Sequence, residues 1–154
     1  MEIEKKYLTK EIPFALEGFI CKQMIQSYLS FQPAIRIRKS EEHCFLTVKG
    51  KGHMAREEFE LEINQHEYER LHEKIEGNEV RKKRYYIPLE HGYTAELDIY
   101  EGELEGLMTT EVEFPTLVEA EAFLAPQWFG EDISMDSRYK NTSLAHYGKP
   151  RVGE

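Results

Sequence analysis

The sequence predicts an α+β fold, an antiparallel sheet with amphipathic helices packed against it, and three observations carry that expectation. Segment after segment alternates apolar and charged residues with period two, the pattern of half-buried strands. The charged faces of these segments are almost wholly ionic. Two stretches, beginning at Asn64 and at Pro115-Thr116, switch to helical spacing just after a capping signal.

The first strand runs from Glu2 to Leu8 and places Glu2, Glu4 and Lys6 on one face. Carboxylates stacked on one face raise each other's pKa unless a cation lies close. Taken alone, the stretch reads equally as a solvated charged terminus. Thr9 to Gly18, with a proline and a glycine, reads as a connection with room for one helical turn. Phe19 to Ser30 fits both periods, and the strands that follow it decide for a strand. Ala34 to Arg38 sets Arg36 and Arg38 opposite Ile35 and Ile37. His43 to Lys49 leads into a hairpin-like turn at Gly50-Lys51-Gly52, and Met54 to Ile63 reads as one long strand.

Asn64 with Glu67 is a capping-box start, and Tyr68, Leu71 and Ile75 form one apolar stripe; Gly77-Asn78 reads as the helix stop. Strands follow over Glu79 to Leu89, Tyr93 to Tyr100 and Leu107 to Phe114, with a turn over Glu101 to Gly106. The second helix has Glu119 at the capping-box position and the stripe Leu117, Ala120, Phe123 and Leu124, and Pro126 ends it. A tail carrying Trp128 and Phe129 ends in a short helical stretch over Ser137 to His146. Without a repeat, a low-complexity run or a linker, residues 1–154 read as one domain.

A net charge of -9 argues against nucleic acid and against an anionic membrane as partners. No apolar run approaches the ~18 residues of a membrane span, and the chain starts with charges instead of a signal peptide, so a cytoplasmic protein is expected. Cys21 and Cys44 lack metal-ligand spacing and read as free thiols.

Two architectures fit the ionic faces. In one, an open sheet exposes its charged face to solvent. In the other, about eight strands close into a barrel with the charges inside. A lumen lined by both signs of charge cannot be a dry core, because desolvating those groups would exceed a domain's net stability. It would hold water, ions or a ligand. Oxygen donors without histidine or thiolate suit Mg²⁺ or Mn²⁺. Rows of arginine and lysine suit phosphate. Together they form an inventory for phosphoryl transfer. Gly50-Lys51-Gly52 lacks a P-loop frame, and no Ser-His-Asp set is suggested, so water is the natural nucleophile.

Glu2-x-Glu4-x-Lys6 resembles the E-x-E-x-K signature of the CYTH superfamily, the triphosphate tunnel metalloenzymes. The resemblance extends, in the family's order, through Gln26-Ser27-Tyr28-Leu29, Arg36-x-Arg38, Lys49-Gly50, Arg56-x-Glu58-x-Glu60, Lys82-x-Arg84, Glu96-x-Asp98 and Glu111-x-Glu113, and into Asp136-x-Arg138-Tyr139-Lys140-Asn141. It implies an eight-stranded antiparallel β-barrel with a charged lumen and flanking helices. It implies that Glu2, Glu4 and Glu113, with Glu111 nearby, hold Mg²⁺ or Mn²⁺. Glu60, with Glu58 or Asp98, would serve a second metal or orient water. Lys6, Arg36, Arg38, Lys49, Arg56, Lys82 and Arg84 would grip phosphates, and Lys6, Arg56, Lys82 and Glu60 would act in catalysis. The implied reaction is hydrolysis of a triphosphate, with inorganic tripolyphosphate favoured by the small format. A class IV adenylate cyclase and a non-catalytic polyphosphate- or nucleotide-binding module are the alternatives. A homodimer is a further expectation, since an inside-out barrel leaves apolar outer surface.

Overall fold

The computed structural model describes residues 1–51 and 54–150. Its strands are β1 (Glu2–Leu8), β2 (Ile20–Phe31), β3 (Ala34–Ser40), β4 (His43–Lys49), β5 (Ala55–Arg56), β6 (Glu58–Ile63), β7 (Glu76–Pro88), β8 (Thr94–Tyr100) and β9 (Met108–Glu113). The helices are α1 (Gln65–His72), α2 (Leu117–Ala122) and α3 (Asn141–Tyr147). The strands form one sheet in the order β5-β1-β9-β8-β7-β2-β3-β4-β6, and every pairing is antiparallel.

The two ends of that order, β5 and β6, are consecutive in the chain. β6 pairs with β4 while β5 pairs with β1, so one bent segment joins both edges and closes the sheet into a barrel. The bend falls at Glu57, whose carbonyl accepts the Gly50 N–H at 2.8 Å. The single strand expected over Met54 to Ile63 is therefore two, and the described residues give nine strands where eight were expected. Gly52, in the hairpin-like turn, lies outside the described residues.

Closure selects the barrel over the open sheet. Directly opposed residues in adjacent strands share a face. The register opposes Glu2 to Arg56, Glu4 to Glu113, Lys6 to Glu111, and Glu111 to Glu96. It continues through Arg84 to Asp98, Gln26 to Arg38, Arg36 to Thr47, Thr47 to Glu60 and Lys49 to Glu58. One continuous ionic face thus lines the inside.

The outer face is apolar and mostly covered. Ile3, Tyr7, Leu97, Val112 and Phe114 pack against Ala120 and Phe123 of the α2 region and against Phe14, Trp128 and Phe129. The Thr9 to Gly18 connection contains no helical turn; it contributes Phe14, whose ring meets Trp128 edge-on at 5.3 Å. α1 lays Tyr68 and Leu71 over Ile37, Cys44, Leu46 and Ile63. α3 places Leu144 and Ala145 against Tyr28 and Tyr100, which belong to the lumen face, so α3 lies across one end of the barrel. Phe59 and Leu61 on the outside of β6 stay exposed.

α1 starts where expected: Asn64 Oδ1 accepts the Glu67 N–H, and Glu67 Oε1 accepts the Asn64 N–H. Its end differs. The C-cap is Glu73, and Gly77-Asn78 already lies within β7. Gly77 has φ +70°, and a Cβ there would sit 2.8 Å from the Ala145 carbonyl oxygen and 2.9 Å from Phe31 Cζ. That glycine serves a close approach between β7 and α3 instead of a helix stop. Cys21 and Cys44 are free. Among the described residues, no helix is long and apolar enough to cross a membrane.

Candidate active site in a charged tunnel

The deepest part of the lumen is the wall formed by β7, β8 and β9. Arg84 donates from Nε and Nη2 to the two oxygens of Asp98, at 2.7 and 2.9 Å, and from Nη1 to Glu96 at 2.9 Å. Lys82 Nζ lies 2.7 Å from Asp98 Oδ2, and neither side chain is exposed. Burial pushes the Asp98 carboxyl up, but Arg84 and Lys82 overcome that and hold it below the usual carboxylate range. Burial draws the Lys82 ammonium down to about 8 against the pull of Asp98. Glu111 on β9 lies 3.8 Å from Lys6 Nζ and 4.0 Å from Arg84 Nη2. Burial raises its pKa, and the cations Lys6, Arg84 and Lys82 reverse this and keep it ionised.

The closing seam supplies a second set. Lys49 Nζ lies 3.3 Å from both Glu2 and Glu58. Arg56 reaches Glu2 at 3.7 Å and Glu4 at 3.6 Å. Arg38 pairs with Glu60 at 3.3 Å, and Thr47 donates to the same oxygen at 3.2 Å. All the site residues anticipated from the sequence therefore face one lumen. There they are arranged as alternating cations and carboxylates, not as separate phosphate and metal blocks.

Two imbalances remain in this array. Arg36 is buried and makes no ion pair among the described residues, and Arg36, Arg38 and Arg56 each have a buried Nε without a hydrogen-bond partner. Unmet buried guanidinium donors fit an oxyanion better than any neutral group. The second imbalance is negative. Burial pushes the Glu4 carboxyl up to about 8, with the like charges of Glu111 and Glu2 adding to it against Lys49 and Arg56. Burial also raises Glu113, which stands directly across from Glu4, with help from Glu2 and Glu58.

Among the described residues, no three acidic or histidine side chains already converge as a metal cage. The donor chemistry nevertheless fits a hard divalent cation. Glu2, Glu4, Glu111 and Glu113 offer oxygen alone, and burial together with like-charged neighbours raises Glu4 and Glu113, so a cation placed among them would favour their ionised form.

Several residues to which the sequence assigns no site role also line the lumen. Gln26 is 1% exposed with its Nε2 unpartnered, and Tyr28 is 3% exposed beside Arg36. Their segment matched both periods, so no face could be assigned to either. The tail is the other omission: Lys6 Nζ donates to the Tyr139 carbonyl at 2.6 Å. There Glu4, Lys6, Arg56, Glu111, Tyr139 and Lys140 line a small cavity of about 30 Å³.

No family model matches the chain. It is similar to the inorganic triphosphatase of Nitrosomonas europaea, 38% identical over 148 residues, which span 94% of this chain and 96% of that protein. It is 34% identical over 149 residues to the inorganic triphosphatase of Acetivibrio thermocellus, spanning 93% and 92% of the two chains. A solved structure of an inorganic triphosphatase superposes with a TM-score of 0.70 at 36% identity, covering 94% of each chain. An adenylyl cyclase-like protein from Hippeastrum, described as having a dominant triphosphatase activity, shares the fold with a TM-score of 0.63 at 19% identity, covering 79% of this chain and 83% of its own.

Proposed function

The chain belongs to the inorganic triphosphatase family of the triphosphate tunnel (CYTH) fold, and from that premise we propose that it hydrolyses inorganic tripolyphosphate to pyrophosphate and phosphate. The observation that carries this reading is the set of buried Nε donors on the lumen arginines Arg36, Arg38 and Arg56, which have no hydrogen-bond partner. A chain of phosphate oxygens supplies acceptors for them.

In this reading Lys6, Arg36, Arg38, Lys49, Arg56, Lys82 and Arg84 bind the phosphates and hold them extended along the tunnel. Asp98 fixes Lys82 and Arg84 in place through its two oxygens. Glu60, with Glu58 on the same strand face, orients the attacking water. Water oxygen bonds to a terminal phosphorus as the bridging P–O bond breaks, and the pyrophosphate oxygen leaves against the charges of Lys6, Arg56 and Lys82. Glu2, Glu4, Glu111 and Glu113 would hold Mg²⁺ or Mn²⁺, which supplies Lewis-acid neutralisation of the phosphate oxygens. Pairs such as Arg56–Glu4, long at 3.6 Å, can exchange a carboxylate partner for phosphate when substrate binds.

The chain acts as one tunnel domain in the cytoplasm. Exposed Phe59 and Leu61 on β6 make that strand the face for a homodimer. A panel of tripolyphosphate, ATP and thiamine triphosphate with each metal tests the assignment. Pyrophosphate and phosphate from tripolyphosphate support it, whereas cyclic AMP from ATP as the main product would replace it with a cyclase.

A further inference from the structure

Outside the tunnel, a wide bowl of about 970 Å³ opens between the β2–β3 turn, the end of β4 and α3. Lys49, Lys51, Arg56 and Lys140 line it, with Phe31 and His146 on its apolar side. Among the described residues, its lining contains no carboxylate. That is unexpected on a chain of net charge -9, where a wall of this size should include acidic groups.

The bowl is continuous with the tunnel. Arg56 and Lys140 line both the bowl and the small cavity beside Glu4 and Glu111. Lys49 and Arg56 meet Glu2, Glu58 and Glu4 on the lumen side while also lining the bowl. Lys51 is exposed and makes no ion pair among the described residues. Burial lowers the Lys140 ammonium, and the positive charge of Arg56 adds to it. The ring of Phe31 packs edge-on against His146 at 4.8 Å and gives the bowl a firm floor. A concave wall of one sign next to low-dielectric side chains focuses the field outward, and in an acidic protein this is where a polyanion can approach.

We propose that this bowl is an outer docking site for a linear phosphate anion, in which Lys51 and Lys140 capture the incoming chain and pass it to Arg56 and Lys49 at the tunnel mouth. The proposal rests on the triphosphatase reading for the identity of the anion, while Lys51 and Lys140 have no part in the catalytic step. It assigns a binding role to Lys51 and Lys140, to which the reading of the tunnel gave none.

The test measures tripolyphosphate affinity by calorimetry in EDTA, where no metal-dependent turnover occurs, for the wild type, Lys51→Glu, Lys140→Gln and Lys74→Glu. Lys74 follows α1, away from the bowl, and its reversal changes net charge as much as Lys51→Glu does. Lys51→Glu is expected to weaken binding about five-fold or more at about 0.02 M salt, with the difference nearly gone at about 0.5 M. Lys140→Gln should act in the same direction with a smaller effect, and Lys74→Glu should bind like wild type. Equal affinity of Lys51→Glu and wild type at low salt overturns the docking site, and so does an equal loss in Lys74→Glu, which would trace the effect to net charge. Should Lys140→Gln fail to fold, Lys51→Glu decides alone. A wild type that does not bind the anion in EDTA also overturns it. Turnover with metal is scored separately: wild-type turnover with unchanged Lys51→Glu affinity sinks the docking site alone. Lost affinity in Lys51→Glu without wild-type turnover sinks the hydrolase reading alone.

Discussion

Lys82 and Asp98 meet at 2.7 Å with neither side chain exposed, and Arg84 grips the same carboxylate from the other side. Two cations thus depend on one buried anion. Removing one partner of a buried ion pair leaves uncompensated charge and costs about 3–5 kcal/mol. Asp98→Asn is expected to lose that much in denaturant unfolding. Glu96→Gln, with one bond to Arg84 and a side chain 22% exposed, should lose about 1 kcal/mol or less. Equal losses for the two variants would show that Asp98 is not the anchor of this wall.

The raised Glu4 carboxyl gives a pH dependence with a definite sign. A carboxyl whose pKa rises on folding stabilises the protein fully below its ordinary value of 4.5, and that contribution is lost as pH climbs to about 8. Thermal stability in EDTA should therefore fall across this window, and Glu4→Gln should flatten that fall. Added Mg²⁺ or Mn²⁺ competes with the proton and should restore stability at the alkaline end. Scanning calorimetry over pH checks both; an unchanged slope in Glu4→Gln would remove Glu4 as its source.

Gly77 combines φ +70° with a backbone oxygen 2.8 Å from where a Cβ would stand. Gly77→Ala should cost about 1–3 kcal/mol. Because the obstructing atom belongs to Ala145, the loss should come with faster proteolysis in the α3 segment. A neutral substitution would mean that β7 and α3 separate easily.

Phe114 is 3% exposed, and its ring lies 5.1 Å from both Tyr93 and Phe123. It ties the outer face of the barrel to α2. Phe114→Ala should destabilise by about 3–5 kcal/mol in denaturant titration. A loss under about 1 kcal/mol would show that this covering layer relaxes into the gap.

Much of the tunnel was readable because its chemistry obeys a period of two. Glu2, Glu4 and Lys6, Arg36 and Arg38, and Glu111 and Glu113 each declare a face through their alternation with apolar residues. That rule failed where a segment fitted two periods at once. Gln26 and Tyr28 lie on such a segment, so their lumen position became visible only through their register with Arg38 and Arg36. Pairing across strands was not readable either. Nothing local to Asp98 shows that both its oxygens go to Arg84 and Lys82, since that choice depends on the β7–β8 register. A glycine after an apolar stripe usually stops a helix, but Gly77 serves a close approach to Ala145, a residue far away in sequence. The Lys6 contact with the tail goes to a backbone carbonyl at Tyr139, which any residue could supply.

If Glu4 helps to hold the metal of a triphosphate site, its loss should be read in phosphate release from tripolyphosphate, measured for the wild type and Glu4→Gln with Mg²⁺, with Mn²⁺ and with EDTA. The wild type should release phosphate only with a divalent metal, and Glu4→Gln should fold but lose turnover. Equal release by the wild type in EDTA, or undiminished turnover by Glu4→Gln, would contradict the account.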